Sequence, residues 1–143
     1  MQAALAQARA AGARGEVPVG AVLTDAKGAI VAQAGNRTRE CADPTAHAEI
    51  LAIRAACAAA GSERLPGHTV WVTLEPCTMC AAAIAAARIG RVIYGANDPK
   101  SGGVAHGAKV FDHPQAHHAP EVISGIADGE ARQLLVEFFA NRR

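Results

Sequence analysis

The stretch that decides the fold is Val72-Thr73-Leu74-Glu75-Pro76-Cys77-Thr78-Met79-Cys80. It joins an apolar, β-branched run, which predicts a strand over 69–74, to a proline that predicts the start of a helix over 76–89. Its two cysteines are three residues apart and therefore share one face of a helical turn. In the first turn, their thiolates are stabilised by the positive end of the helix dipole and by a bound cation. This strand-to-helix junction predicts a pair of metal ligands.

A second motif, His47-Ala48-Glu49, lies upstream in a segment that we expect to be helical over 44–60. Asp43 fits an N-cap, and Pro44 fits the first position of a helix. The predicted buried face of this helix consists of residues at helical spacing, namely Ile50, Ile53 and Cys57.

The two motifs together predict a zinc site. His47, Cys77 and Cys80 offer one nitrogen and two sulfur ligands, and three protein ligands with an open fourth position are typical of catalytic zinc. Glu49 follows His47 by two residues, so both reach one site only if that site lies off the helix N-terminus. There a carboxylate can accept the proton of a zinc-bound water and later donate it. We expect one zinc ion per subunit and Glu49 as the catalytic carboxylate.

Each part of this constellation has another interpretation. A lone C-x-x-C pair is compatible with a redox dithiol, and a lone His with an ordinary surface or core residue. A Glu in a first helical turn is often only a charge that pairs with the helix dipole. Three classes therefore remain open: a zinc hydrolase, a redox dithiol protein and a zinc-stapled RNA-binding module. The conjunction of both motifs favours the hydrolase.

Composition excludes several other classes. The chain has 143 residues, a net charge of +1 and 50% hydrophobic residues, of which 35 are alanine. The length predicts one domain over 1–143. The longest uncharged segment, 76–87, is too short to span a membrane, and the N-terminus lacks the features of a signal peptide. We expect a soluble, cytoplasmic protein rich in closely packed helices.

The order of the predicted elements indicates the architecture. A helix over 2–14 precedes a hairpin, and the two motif-bearing helices each lead into a strand. A last helix begins with Asp128 as its N-cap and has an apolar face of Leu134, Leu135, Phe138 and Phe139. The predicted strands are 17–23, 29–34, 69–74, 91–95 and 121–126. This order predicts a three-layer α/β/α fold with a mixed five-stranded sheet and helices on both faces.

The paired motifs H-x-E and P-C-x-x-C match the signature of zinc nucleobase deaminases. Longer stretches resemble the bacterial tRNA-specific adenosine deaminases of the cytidine-deaminase-like superfamily, and the resemblance covers essentially the whole chain. The chain starts inside the family's usual first helix, so we expect several N-terminal residues to be missing or trimmed. The matching stretches are 16–22, 35–37, 43–49, 72–80, 87–92 and 95–102, together with Phe138, Phe139, Arg142 and Arg143 near the C-terminus.

The resemblance implies a cytidine-deaminase-like fold and hydrolysis of the wobble adenosine of a tRNA anticodon, typically of an arginine tRNA, to inosine and ammonia. It also implies a homodimer that binds the anticodon stem-loop near the subunit interface. A relative that acts on a free base or nucleotide, such as guanine, cytosine or deoxycytidylate, is the remaining alternative. Residues that match the family's substrate contacts are Val17, Pro18, Val19, Asn36, Ala48, Leu74, Asp98 and Lys100.

Basic residues offer separate support for RNA binding, although a solvated surface of mixed charge is an equal interpretation of them. Guanidinium groups suit phosphate recognition and base stacking. The candidates for a basic rim around the site are Arg37, Arg39, Arg88, Arg91, Lys100, Lys109, Arg142 and Arg143.

Overall fold

The structure is a computed structural model that describes residues 1–142. Within this range four α-helices and five β-strands follow one another along the chain. In order they are α1 (Gln2–Ala13), β1 (Gly20–Thr24), β2 (Ile30–Gly35), α2 (Ala48–Ala60), β3 (Thr69–Leu74), α3 (Thr78–Ala86), β4 (Arg91–Ala96), β5 (Glu121–Ile123) and α4 (Asp128–Ala140). A short 3₁₀ turn, Val110–Asp112, lies in the long connection before β5, close to the short helical piece expected near 108–111.

The strands form one mixed sheet in the order β2-β1-β3-β4-β5. β1 runs antiparallel to both β2 and β3, whereas β3, β4 and β5 are parallel to one another. Helices α2 and α3 share a core with one face of the sheet, and α1 and α4 cover the other face. The predicted three-layer α/β/α arrangement is confirmed.

Helix α2 packs against the sheet through alanine. Ala48, Ala52 and Ala56 are 0%, 0% and 2% exposed and belong to the main core. The prediction that Ile50, Ile53 and Cys57 form the buried face is therefore only partly correct, because Ile53 and Cys57 pack against this core but all three side chains are only partly buried. A helix that lies this close to the strands leaves room for methyl groups along its contact line, and larger side chains flank that line.

Helix α1 contacts the opposite face of the sheet at Gly20. A Cβ atom on this glycine would lie 2.0 Å from the Ala4 carbonyl oxygen and 2.5 Å from the Ala8 nitrogen. The helix backbone therefore rests directly on β1. Leu5 completes this side of the molecule by packing with Ala96 and Ala131.

Helix α2 begins four residues later than predicted. Asp43 does not cap the helix; its Oδ1 atom accepts hydrogen bonds from the Thr45 amide at 2.8 Å and the Thr45 hydroxyl at 2.7 Å. This local bonding holds 43–46 in a turn. His47, in an extended conformation, takes the N-cap position instead. The predicted end is confirmed, since Gly61 adopts the left-handed conformation.

Other ends also differ from the predictions. β1 begins at Gly20 rather than at residue 17, after a tight turn in which the Val19 amide donates to the Val17 carbonyl at 2.8 Å. α3 ends at Ala86 rather than at residue 89, and Arg88 adopts a left-handed φ of 58° that redirects the chain into β4. β5 ends at Ile123 rather than at residue 126.

Helix α4 starts differently from the expectation. Asp128 is its first residue, and Ala127 holds the N-cap position with a left-handed φ of 58°. Only part of the predicted apolar face is buried, because Phe138 is 9% exposed but Phe139 is 50% exposed. Over residues 1–142, no helix combines the length and apolarity that crossing a membrane requires.

Candidate metal centre

Two helix N-termini converge on the candidate site. His47 is the N-cap residue of α2, and Cys77 is the N-cap residue of α3. Both have extended backbones, so each side chain projects off the end of its helix rather than along its flank. Cys80 lies in the first turn of α3, and Glu49 lies in the first turn of α2. The end-on approach that the H-x-E spacing requires is therefore present.

The three candidate ligands lie at the separations that zinc requires. The His47 Nδ1 atom is 3.6 Å from the Cys77 Sγ atom and 3.5 Å from the Cys80 Sγ atom. A nitrogen and a sulfur bound to one tetrahedral zinc ion are about 3.6 Å apart. All three ligating atoms lie within 4.8 Å of one another, and within residues 1–142 no other group of three such side chains is found. The donor set fits a zinc ion held through Nδ1 of His47.

The protein alone prepares these ligands for a cation. A hydrogen bond from Cys80 and another with His47 lower the pKa of Cys77 to about 4, although burial opposes the shift. The same bond to Cys77, together with burial, raises the pKa of Cys80. The Cys77 sulfur also raises the pKa of the His47 imidazole. Metal binding therefore displaces protons from a site that already stabilises one thiolate.

Glu49 lies beside this cluster in the interior. The residue is 4% exposed, and its Oε2 atom accepts a hydrogen bond from the Cys80 thiol at 3.5 Å. Burial raises the pKa of the Glu49 carboxyl above its ordinary value. A carboxyl of this kind holds a proton more readily than a solvated one, which suits a group that must both accept and donate a proton.

A pocket of about 240 Å³ opens above the cluster. Its floor is formed by His47, Glu49 and Cys77. Of the predicted substrate contacts, the structure brings five to its walls: Val17, Val19, Asn36, Leu74 and Asp98. Two others line neighbouring spaces, since Pro18 lies in a cleft between α1 and α4 and Lys100 lies in an adjoining groove. The contact predicted for Ala48 is through its backbone, which lies between the pocket-lining residues His47 and Glu49, while its side chain is buried in the core.

Thr38, Glu75 and Ser101 also line the pocket, although no role was predicted for them. Glu75 is the most buried of the three, at 2% exposure. Burial raises its pKa, but hydrogen bonds from the Asp98 backbone and the His106 side chain outweigh this and lower it. One feature of the sequence could have indicated a role for Glu75, namely that a charged residue lies between a strand predicted to be buried and a proline, where solvation is poor.

The pocket continues into a groove of about 630 Å³ between the 97–101 loop and α4. Val17, Leu74, Asp98 and Ser101 border both spaces. The far side of the groove is lined by Leu135, Phe139 and Arg142, with Asn97 and Lys100 on the loop side. The half-exposed Phe139 ring is thus turned toward the approach to the site rather than toward the core.

The predicted basic rim is only partly correct. Arg88 follows the C-terminal end of α3 and donates to the carbonyls of Ala85 and Ala86, and Arg91 pairs with Glu121 at the start of β4. Both therefore lie at the end of the sheet away from the metal centre. Lys100 and Arg142 do border the groove. Arg143 lies outside the described residues.

Comparisons with known proteins agree with this geometry. A family model for the cytidine and deoxycytidylate deaminase zinc-binding region matches residues 1–96. A tRNA-specific adenosine deaminase of Agrobacterium fabrum (strain C58 / ATCC 33970) is 57% identical over 143 residues, which cover 100% of this chain and 93% of that protein.

Two solved structures are also similar to this chain, to different degrees. A structure from a study of A-to-I editing by tRNA:A34 deaminases at the wobble position of transfer RNA is 58% identical, with a TM-score of 0.92 over 94% of this chain and 97% of the other. A guanine deaminase of Bacillus subtilis is 31% identical, with a TM-score of 0.67 over 99% and 90%.

The likeness to the adenosine deaminases thus exceeds that to the guanine deaminase in both sequence and shape. The match to the Agrobacterium fabrum protein covers all 143 residues of this chain. The chain belongs to the tRNA-specific adenosine deaminases, within the family of cytidine and deoxycytidylate deaminases that carry the zinc-binding region.

Proposed function

We propose that this deaminase converts the wobble adenosine of an arginine tRNA anticodon to inosine by zinc-dependent hydrolysis, with release of ammonia. The observation that carries the proposal is the buried Glu49 carboxyl beside the His47, Cys77 and Cys80 cluster at the floor of a one-base-sized pocket. The name of the Agrobacterium fabrum relative supports tRNA adenosine as the substrate.

His47, Cys77 and Cys80 hold the metal in this proposal, one ion per subunit. A zinc ion bound there supplies Lewis-acid activation of water at neutral pH. The two helix N-termini keep the ligands in place before the metal arrives, because the Nδ1–Sγ distances of 3.5 and 3.6 Å already match a shared tetrahedral ion.

Glu49 moves the proton. Its carboxylate accepts a proton from the attacking water as the new C–O bond forms at carbon 6 of adenine. The carboxyl then donates this proton to the exocyclic nitrogen, whose C–N bond breaks to release ammonia. The second water proton ends on ring nitrogen 1, so that water and adenosine give inosine and ammonia. The raised pKa of Glu49 brings the carboxyl closer to the operating pH, which favours both half-steps.

The pocket walls orient the base. Val17, Val19 and Leu74 supply apolar surface for the faces of a purine, and the side-chain amide of Asn36 offers both a donor and an acceptor to its edge. Asn36 is 7% exposed, and its backbone carbonyl accepts a hydrogen bond from Arg14 at 3.3 Å. A base must leave its stack to enter this space.

The groove beside the pocket is the feature that favours an RNA over a free base. A free purine needs only the 240 Å³ pocket, whereas the adjoining 630 Å³ groove has room for neighbouring nucleotides. Phe139 offers a stacking surface there, and Lys100 and Arg142 offer cations to phosphates. An anticodon stem-loop presents its wobble base in this way.

The remaining parts of the proposal rest on the family. We place the protein in the cytoplasm as a homodimer, with residues 1–143 as one deaminase domain. The exposed side of α3 supports a protein–protein contact, since Ala82 and Ala86 are exposed while Ala81 and Ala85 are buried. A cleft of about 310 Å³ on that side is lined by further alanines and by His113 and His117.

The test is to incubate the zinc-loaded protein with unmodified tRNA transcripts and sequence the products. We expect inosine at the wobble position of an arginine tRNA and no product in a transcript whose wobble base is guanosine. Free guanine, cytosine and deoxycytidylate are offered in parallel, with ammonia as the readout. Ammonia from a free base together with unchanged tRNA would reject the proposal in favour of a small-molecule deaminase.

A further inference from the structure

We propose that Glu75 is a positioning residue, whose buried carboxylate anchors the 98–106 loop to the metal-binding turn and so sets the wall that receives the RNA. This inference rests on the proposed function. It assigns no chemical step to Glu75, which acts through the loop that it holds.

The carboxylate is fully engaged by that loop. Its Oε1 atom accepts hydrogen bonds from the Asp98 amide at 3.1 Å and from the His106 imidazole Nδ1 at 2.7 Å. Its Oε2 atom accepts from the amides of Val104, Ala105 and His106 at 3.3, 3.0 and 3.1 Å. These five bonds reach both ends of the loop from one side chain that is itself excluded from solvent.

The loop also touches the metal-binding turn through its backbone. The Gly103 amide donates to the Pro76 carbonyl at 2.8 Å, and Gly102 forms a β-bridge with Cys77. A Cβ atom on Gly102 would lie 2.3 Å from the Glu75 Oε2 atom. A Cβ atom on Gly103 would lie 2.6 Å from the Thr78 backbone. Side chains at 102 and 103 would therefore separate the loop from both the carboxylate and the turn.

The segment held in this way forms the boundary between pocket and groove. Asp98 and Ser101 line both spaces, and Lys100 lines the groove. The Asp98 side chain accepts from the amides of Lys100 and Ser101 at 3.2 and 3.0 Å, which shapes this boundary as a compact turn. Because the Asp98 amide, at the start of this turn, is hydrogen-bonded to Glu75, the position of the turn depends on Glu75.

Removal of the carboxylate charge is the sharpest perturbation. In Glu75→Gln, one carboxylate oxygen becomes an NH₂ group, which cannot accept from the backbone amides that point at it. Buried amides without acceptors favour a shifted or mobile loop. The metal ligands themselves lose no contact in this variant.

The experiment compares the zinc-loaded full-length wild type with Glu75→Gln. We expect the two proteins to have equal zinc content. In Glu75→Gln, backbone hydrogen exchange over 98–106 should be at least about tenfold faster. The dissociation constant of the anticodon stem-loop should be at least about fivefold higher. The single-turnover rate at saturating RNA should fall by less than the affinity does. Glu121→Gln, an exposed carboxylate that pairs with Arg91, is the matched control and should change none of these quantities.

Unchanged exchange with unchanged affinity would overturn the proposal, and so would loss of zinc or a loss confined to the single-turnover rate. If Glu75→Gln fails to fold, His106→Ala removes one of the five bonds from a partly exposed position. It should weaken RNA binding by about twofold and speed exchange of the loop, and no change in either would overturn the proposal. A wild type that makes no inosine refutes the proposed function instead, while the exchange comparison still decides whether Glu75 holds the loop.

Discussion

The Oε2 atom of Glu49 lies 3.5 Å from the Sγ atom of Cys80, although the two residues belong to different helices and are 31 positions apart in the chain. The carboxyl proposed to transfer the proton therefore contacts a candidate metal ligand. Its position depends on how α2 and α3 converge rather than on the conformation of a loop. The chemistry and the metal site are consequently one rigid unit.

Glu49→Ala should keep zinc and the fold but reduce single-turnover deamination by at least about 10²-fold, because the other two pocket carboxylates, Glu75 and Asp98, are engaged by backbone amides. Quantitation of inosine in a stem-loop RNA, with zinc measured in the same sample, checks this. Glu63→Ala, an exposed residue beyond the end of α2, is the control. Unreduced turnover in the zinc-loaded Glu49 variant would remove this residue from the mechanism.

Zinc should protect two of the four cysteines. In the loaded protein, Cys77 and Cys80 should resist alkylation until a chelator is added, whereas the exposed Cys41 should react in both states. Mass spectrometry of the alkylated peptides gives the readout, and about one zinc per chain is expected. A wild-type protein that binds no metal and forms a reversible disulfide between Cys77 and Cys80 would instead support the redox dithiol.

Acid sensitivity should depend on Glu16. This residue is 1% exposed and accepts hydrogen bonds from the amides of Arg39 at 3.0 Å and Glu40 at 2.9 Å. Burial raises its pKa, but these two amides and the Arg14 charge together lower it below its ordinary value. The ordinary pKa of a glutamate in an unfolded chain is about 4.3. A carboxyl whose pKa is lower than this in the folded state stabilises the protein fully above about pH 4.3. That stabilisation is lost as the pH falls through the folded-state pKa.

Glu16→Gln should therefore reduce the free energy of unfolding by about 2 kcal/mol at neutral pH. The deficit should shrink as the pH falls below about 4. Urea unfolding at several pH values measures this, with the exposed Glu63→Gln as the control. A deficit that stays constant down to the lowest pH would show that the ionised form of Glu16 is not what stabilises the fold.

Close packing at Gly20 should make this position intolerant of a methyl group. Gly20→Ala forces a Cβ into the backbone of α1, and we expect a loss of about 3 kcal/mol in the free energy of unfolding. Gly129→Ala is the matched control, because Gly129 is helical and has no atom within 4 Å of an added Cβ. It should stabilise the protein by up to about 1 kcal/mol. Equal effects of the two substitutions in denaturant unfolding would contradict the direct contact of α1 with β1.

The exposed ring of Phe139 should act on RNA binding rather than on stability. Phe139→Ala removes a stacking surface at the groove, so the dissociation constant of a stem-loop RNA should rise by about fivefold or more. The melting temperature should change little. Val136→Ala, on an equally exposed position of α4, controls for loss of apolar surface. An unaltered dissociation constant for Phe139→Ala would remove this ring from the RNA site.

Local signals predicted the parts of the fold that local forces determine. β3 was predicted over the residues that it occupies, because its β-branched run is bounded by a turn and a proline. The end of α2 at Gly61 followed from a glycine that can adopt the left-handed conformation. The cysteine pair was predictable because the strand, proline and helix signals place Cys77 at the start of α3 and Cys80 in its first turn.

Long-range contacts explain what the sequence could not predict. Ile50 and Ile53 have the helical spacing of a buried face, but the close approach of α2 to the sheet selects Ala52 and Ala56 for the contact. Nothing local to Glu75 reveals that amides some 30 residues later converge on its carboxylate. Phe139 is apolar, yet the fold leaves it half exposed at a groove whose opposite wall is distant in the chain.

The two buried carboxylates outside the ligand cluster have a consequence for how recognition and chemistry are divided in this fold. Glu16 holds the loop that contains Arg39 and Glu40 by hydrogen bonds to its amides, and Glu75 holds the 98–106 loop in the same way. The candidate metal ligands instead lie at the ends of two helices that pack through alanine. Loop sequence can therefore drift, and recognition with it, as long as the backbone amides still reach their anchor. In such an architecture, residues that face the substrate and residues that hold the metal belong to different structural units.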